Sequence, residues 1–203
     1  MVEAVDLKST KRWFESNYGY VPIAQLVEQQ TFNLRVAGSS PAGDTLILKW
    51  YTKIMDTLIN KLKQWQANSV VLYSTAHGFH WNVEGPLFTQ YHSFFEQIYS
   101  DVYGSIDTIA EWIRKFDVKA PYTLQDFTAN NNYGDVQIDS NSPIVMSKQL
   151  LDMIEKMISD IKVMFDEATL QKEQGLANFL ADRQDKLEFW AWWLRSSLKQ
   201  TIN

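Results

Sequence analysis

The chain has 203 residues, enough for one ordinary domain, and its 45% hydrophobic and 21% charged content is globular. It has no cysteine, which excludes disulfides and thiol chemistry and fits a reducing compartment. A net charge of −5 weighs against a protein built mainly to grip phosphate backbones. No run of about 18 apolar residues offers a membrane span, and Met1–Trp13 lacks the apolar core of a signal peptide, so the expectation is a soluble cytoplasmic protein.

Residues 1–54 show no sustained helical or alternating pattern, and Gly38–Gly43 is a cluster of chain breakers. Within them, Ala24 to Gly43 resembles a transfer-RNA gene read as protein. Ala24–Glu28, Thr31–Asn33 and Gly38–Pro41 can be written in codons matching a D-arm, an anticodon loop and a T-loop, in that order. Met55 is the next methionine after Met1. Residues 1–54 are therefore expected to be a non-native or disordered extension, and 55–203 the domain.

After Met55 the pattern changes. Leu58, Ile59, Leu62, Trp65, Ser69, Leu72 and Ala76 keep the three-and-four spacing of an amphipathic helix that reaches His80 and Trp81. Asn82, Gly85 and Pro86 end it. A second helix is predicted over about Leu87–Phe116, with Phe88, Tyr91, Phe95, Ile98, Val102, Ile106, Ile109 and Ile113 as its stripe. Pro121 opens a connection holding a short helix at Leu124–Ala129. The polar, turn-rich run Asn130–Pro143 is expected to be exposed. A third helix starts near Ser147 and shares Leu150, Ile154, Met157, Ile158, Ile161 and Phe165 on one face. Gly175 breaks the pattern, and a fourth helix turns Leu176, Phe179, Leu180, Leu187, Trp190 and Leu194 inward. The fold expected is an all-α antiparallel four-helix bundle with a short helix in the link between helices two and three. Phe189–Leu194, reading FWAWWL, is expected to serve core and subunit contact. A base-stacking platform would want more flanking Lys or Arg.

All three histidines, His77, His80 and His92, lie in one stretch with the carboxylates Glu96, Asp107 and Glu111. His92 and Glu96, like Asp107 and Glu111, are four residues apart and share a helix face. Imidazole with carboxylate suits iron, manganese or zinc, with iron the expectation, whereas a lone helix histidine is ordinarily a hydrogen-bonded structural residue. Asp101 reads as a solvated helix-face residue. From Glu96 to Asp107 is about 16 Å along a helix, so one centre within one chain cannot use both.

The stretch His77–Arg114, with HWNVEG at His80–Gly85, YH at Tyr91–His92 and IDTIAE at Ile106–Glu111, resembles the Dps family, the miniferritins. The resemblance extends over nearly all of 55–203, including FLADRQDKLEFWAWWL. It implies a ferritin-like subunit that assembles into a hollow dodecamer, oxidises Fe(II), preferably with hydrogen peroxide, and stores the ferric mineral. It also implies that His80, His92 and Glu96 of one subunit bind iron together with Asp107 and Glu111 of a two-fold partner, as a mononuclear or dinuclear centre. Trp81 matches the tryptophan beside that site, a local electron donor. Glu96 departs from the family's usual Asp and reaches one methylene further, and Trp112 replaces an Arg. The alternative that the family name suggests is DNA binding and compaction. Asp152, Asp160, Asp166 and Glu167 are candidates for lining a cavity or pore.

Overall fold

The computed structural model describes residues 41–134, 136 and 140–199, with side chains from Lys53 onward. Its helices are α1 (Pro41–Asn82), α2 (Phe88–Lys115), α3 (Leu124–Asn130), α4 (Pro143–Leu170) and α5 (Gln174–Leu198). Among the described residues no strand occurs. α1 pairs with α2 and α4 with α5, while α4 also packs on α1, giving the expected four-helix bundle. The core runs the length of these helices, from Leu58, Leu62 and Trp65 through Phe79, Phe95 and Ile98 to Ile154, Leu180 and Leu194.

Several boundaries differ from expectation. α1 begins at Pro41 rather than Met55, with proline at the first helical position, where its missing N–H costs nothing. The transfer-RNA-like stretch as far as residue 40 lies outside the described residues. α4 likewise begins at Pro143, so Ser147 is a fully buried residue inside the helix and not near its cap. Phe88, assigned to the inward stripe, is exposed, because α1 has already ended at Asn82 and its ring rests against His92 instead. The break between the last two helices falls at 171–173, with Lys172 at φ 60°. Gly175 is already helical; a methyl there would stand 2.9 Å from Cη2 of Trp112, so this glycine makes room for that indole.

The links are tied down by named bonds. Asn82 Nδ2 donates to the Gly78 carbonyl, and Gly85 takes φ +110°, open to glycine and strained for other residues. Glu84 N–H donates to the Asn141 carbonyl across to the segment before α4. The run after α3 is less exposed than its polar sequence suggests. Fully buried Asn68 exchanges two 3.0 Å hydrogen bonds with Asn132, and the Tyr133 hydroxyl donates to the Met153 carbonyl. These pairings satisfy polar groups that burial would otherwise penalise. Residues 135 and 137–139 of that run lie outside the described residues.

Candidate metal centre

The end of α1 and the start of α2 bring His80 and His92 face to face, with ring centroids 3.6 Å apart and planes 23° from parallel. Their backbones lock this pair. His80 Nδ1 lies 2.8 Å from the His92 carbonyl oxygen, and His92 Nδ1 lies 2.7 Å from that of His80. A carbonyl can only accept, so both Nδ1 atoms carry the proton and donate. In the neutral rings each Nε2 is then left with its lone pair, the form that binds a metal. The carbonyl partners do for these rings what an outer hydrogen bond does for metal-ligating histidines generally: they fix tautomer and orientation. Phe88 lies against His92 at 4.9 Å between ring centroids, and Tyr99 meets His80 edge-on at 5.4 Å.

Glu96 follows His92 by one turn on α2 and is exposed. Asp107 and Glu111 are also exposed, further along the same unbroken helix. Over an uninterrupted α2 the separation of about 16 Å between Glu96 and Asp107 stands. The chain therefore joins His80 and His92, with Glu96 one turn from His92 along α2 and Asp107 and Glu111 further along the same helix. Among the described residues, no three His, Asp or Glu side chains of one chain gather at metal-binding distance. Imidazole with carboxylate is a donor set that suits a ferrous or ferric ion. Trp81, beside His80 in sequence, is 65% exposed on the single chain and lies against the His77 ring at 4.1 Å.

Asp101 is not the solvated residue its sequence suggests. Arg183 Nη1 and Nη2 donate to its two oxygens at 3.0 and 2.9 Å, and Trp190 Nε1 donates to Oδ2 at 2.9 Å. Burial works to raise this carboxyl's pKa, but the hydrogen bonds and charge of Arg183, with help from Trp190 and Lys186, hold it below the ordinary value. The signal available in the sequence was Arg183 and Trp190 seven residues apart on one helix face. The cavity candidates also resolve differently. Glu167 pairs with Lys61 at 2.8 Å across α4 and α1, and burial raises the Asp160 carboxyl, whereas Asp152 and Asp166 are exposed. In FWAWWL, Trp190, Ala191 and Leu194 are buried, while Phe189, Trp192 and Trp193 form an outward aromatic face.

Residues 59–202 match the family model for the ferritin-like domain, and the chain belongs to that family. Within it, the chain is similar to Dps proteins. It is 29% identical over 148 residues to the DNA protection during starvation protein of Brevibacillus brevis, covering 73% of this chain and 99% of the relative. A low temperature-induced protein of Nostoc is 30% identical over 147 residues, covering 70% and 80% of the two chains. The crystal structure of Dps from Bacillus brevis superposes with a TM-score of 0.69 at 28% identity over 72% of this chain and 98% of its own. That of Dps from Vibrio cholerae O1, described as a member of a broad superfamily of ferritin-like diiron-carboxylate proteins, gives 0.69 at 25% identity over 73% and 92%.

Proposed function

We propose that the chain is a ferroxidase and iron-storage miniferritin that oxidises Fe(II), preferably with hydrogen peroxide, inside a homododecameric cage and so limits oxidative damage. The observation that carries this reading is the reciprocal His80–His92 pair, whose backbone bonds leave both Nε2 atoms free to receive Fe(II). Iron is substrate and cargo here. In the proposed centre His80, His92 and Glu96 of one subunit meet Asp107 and Glu111 of another, and Trp81 stands ready as a local electron donor. Imidazoles hold Fe(II), hard carboxylates favour Fe(III), and oxidation of two ferrous ions per peroxide avoids hydroxyl radical.

The functional unit in this reading is residues 55–203, with 1–54 a non-native or dispensable extension. A cytoplasmic location fits it. Among the described residues, no helix is long and apolar enough to cross a membrane. The test is stopped-flow Fe(II) oxidation with peroxide and with dioxygen. Rapid oxidation by wild type that is lost in His80→Ala and His92→Ala supports the proposal; equal rates in all three sink it.

A second reading, DNA binding, has support from the names of relatives, among them the DNA protection during starvation proteins of Brevibacillus brevis and Bacillus anthracis. Charge weighs against it. Residues 55–203 hold 13 Lys plus Arg against 19 Asp plus Glu, a net charge of −6. The last ten residues offer only Arg195 and Lys199 as cations.

A further inference from the structure

Midway along α2, between Glu96 and Asp107, the outward face carries the uncharged residues Ser100, Tyr103 and Gly104, all exposed. Gly104 has no steric reason within its own chain: a methyl group there would meet nothing within 4 Å, and glycine inside a helix is destabilising relative to alanine. Tyr103 touches Tyr73 at 5.2 Å between ring centroids, yet remains 63% exposed. A large exposed ring on the same helix face as two residues of little bulk is the pattern of a knob and a hole that meet across two helices. The residues on either side give the register. His92 and Glu111, and likewise Glu96 and Asp107, lie equally far from the point between Asp101 and Val102. Two copies of α2 running antiparallel, with that point on a two-fold axis, bring both pairs opposite at once, so that the imidazole of His92 faces the carboxylate of Glu111. In the same register Tyr103 falls level with the partner's Ser100.

We propose that this neutral middle of α2 sets the spacing of the shared centre: α2 packs antiparallel on α2 of a second copy, each Tyr103 against the partner's Ser100, with Gly104 beside them letting the backbones approach. The inference rests on the shared-centre reading and deepens it by naming the residues that hold the two half-sites within reach of each other. Ser100, Tyr103 and Gly104 touch no iron; they are positioning residues. Charge explains why the middle must carry the contact. Glu96 and Asp107 face each other as two carboxylates, which oppose close approach until a cation lies between them. The attraction of His92 for Glu111 at an exposed position is small. Packed helix axes lie about 8–10 Å apart according to the side chains between them, and small residues give the near end of that range. A larger residue in place of Ser100 would push the helices apart and separate His92 and Glu96 of one copy from Asp107 and Glu111 of the other.

The chain holds no cysteine, so a single introduced thiol reports on its own position. In the proposed register two copies of Ser100 stand about 4.5 Å apart along the helices, two of Gln97 about 14 Å and two of Ser93 about 26 Å. Mild oxidation of the full chain should therefore link Ser100→Cys into covalent dimers several-fold faster than Gln97→Cys or Ser93→Cys; linking at Ser100 that is no faster overturns the register. Size complementarity is tested by exchange. Ser100→Tyr and Tyr103→Ser should each raise at least tenfold the concentration below which single chains appear in sedimentation, with helical circular dichroism unchanged. The double variant Ser100→Tyr/Tyr103→Ser returns one large and one small residue to each layer and should recover most of the loss. Ser100→Tyr that assembles like wild type, or a double variant no better than either single one, overturns the spacing role. Should Ser100→Tyr lose its fold, the cysteine comparison decides. Linking at Ser100 and rescue by the exchange, in a wild type that oxidises no Fe(II), would overturn the ferroxidase reading and leave the pairing standing. Rapid Fe(II) oxidation without preferential linking at Ser100 would overturn the pairing alone.

Discussion

Asp101 shows how a single carboxylate is turned from surface charge into structure. Its side chain is 22% exposed and that of Arg183 8%, so both charges give up most of their hydration, and the bidentate bond with Trp190 Nε1 compensates. Asp101→Asn leaves the guanidinium buried without a counter-charge, and should destabilise the chain by about 3 kcal/mol, read as a shift in denaturant midpoint. Wild-type strength would show the pair to be ornamental. The pH dependence follows from the lowered pKa. Above the unfolded value of about 4 the ionised carboxylate adds its full stability, and this is lost as pH falls through the lower folded value. Wild type should therefore weaken more steeply than Asp101→Asn on acidification below about pH 4. None of this was legible locally, because Arg183 and Trp190 lie 82 and 89 residues away. His80 and His92 were legible as residue types at telling positions, but their hold on each other's carbonyls depends on where α1 stops and α2 starts.

At the scale of elements, the helices could be read because each keeps an apolar stripe over many turns, and a long periodic pattern outweighs local exceptions. The ends could not, since a proline at the first turn reads equally well as a breaker. Pro41 and Pro143 both start helices, and the loop after α3 looked solvated because its anchors, Asn68 and Met153, belong to other elements. Gly175 was taken for a break when its role is to seat Trp112. α1 extends upstream of Met55, yet the first buried side chain described is Leu58. A chain started at Met55 keeps every core residue named here, and helix stability comes chiefly from such packing. It should match the full chain in helical circular dichroism and thermal midpoint. A truncated protein that unfolds at markedly lower temperature would show residues 1–54 to be part of the domain.

For the whole molecule, charge and symmetry decide what the bundle can do. The net charge of −6 over 55–203 is multiplied in any assembly, so phosphates are repelled except at local basic patches. In a mobility-shift assay at about 0.15 M salt, duplex DNA should run free; tight retention without divalent cation would favour the second reading. The central claim is that the metal centre is shared between chains, and subunit complementation tests it most directly. His92→Ala and Glu111→Ala each damage every centre in their own homo-oligomers. When the two are co-expressed, a mixed two-fold pair places both lesions in one centre and neither in the other. Random mixing makes half the pairs mixed, so roughly a quarter of wild-type Fe(II) oxidation should return, while each mutant alone stays inactive. Assembled mixed cages no more active than either parent would contradict the shared centre, because sites built within single chains cannot be restored by mixing.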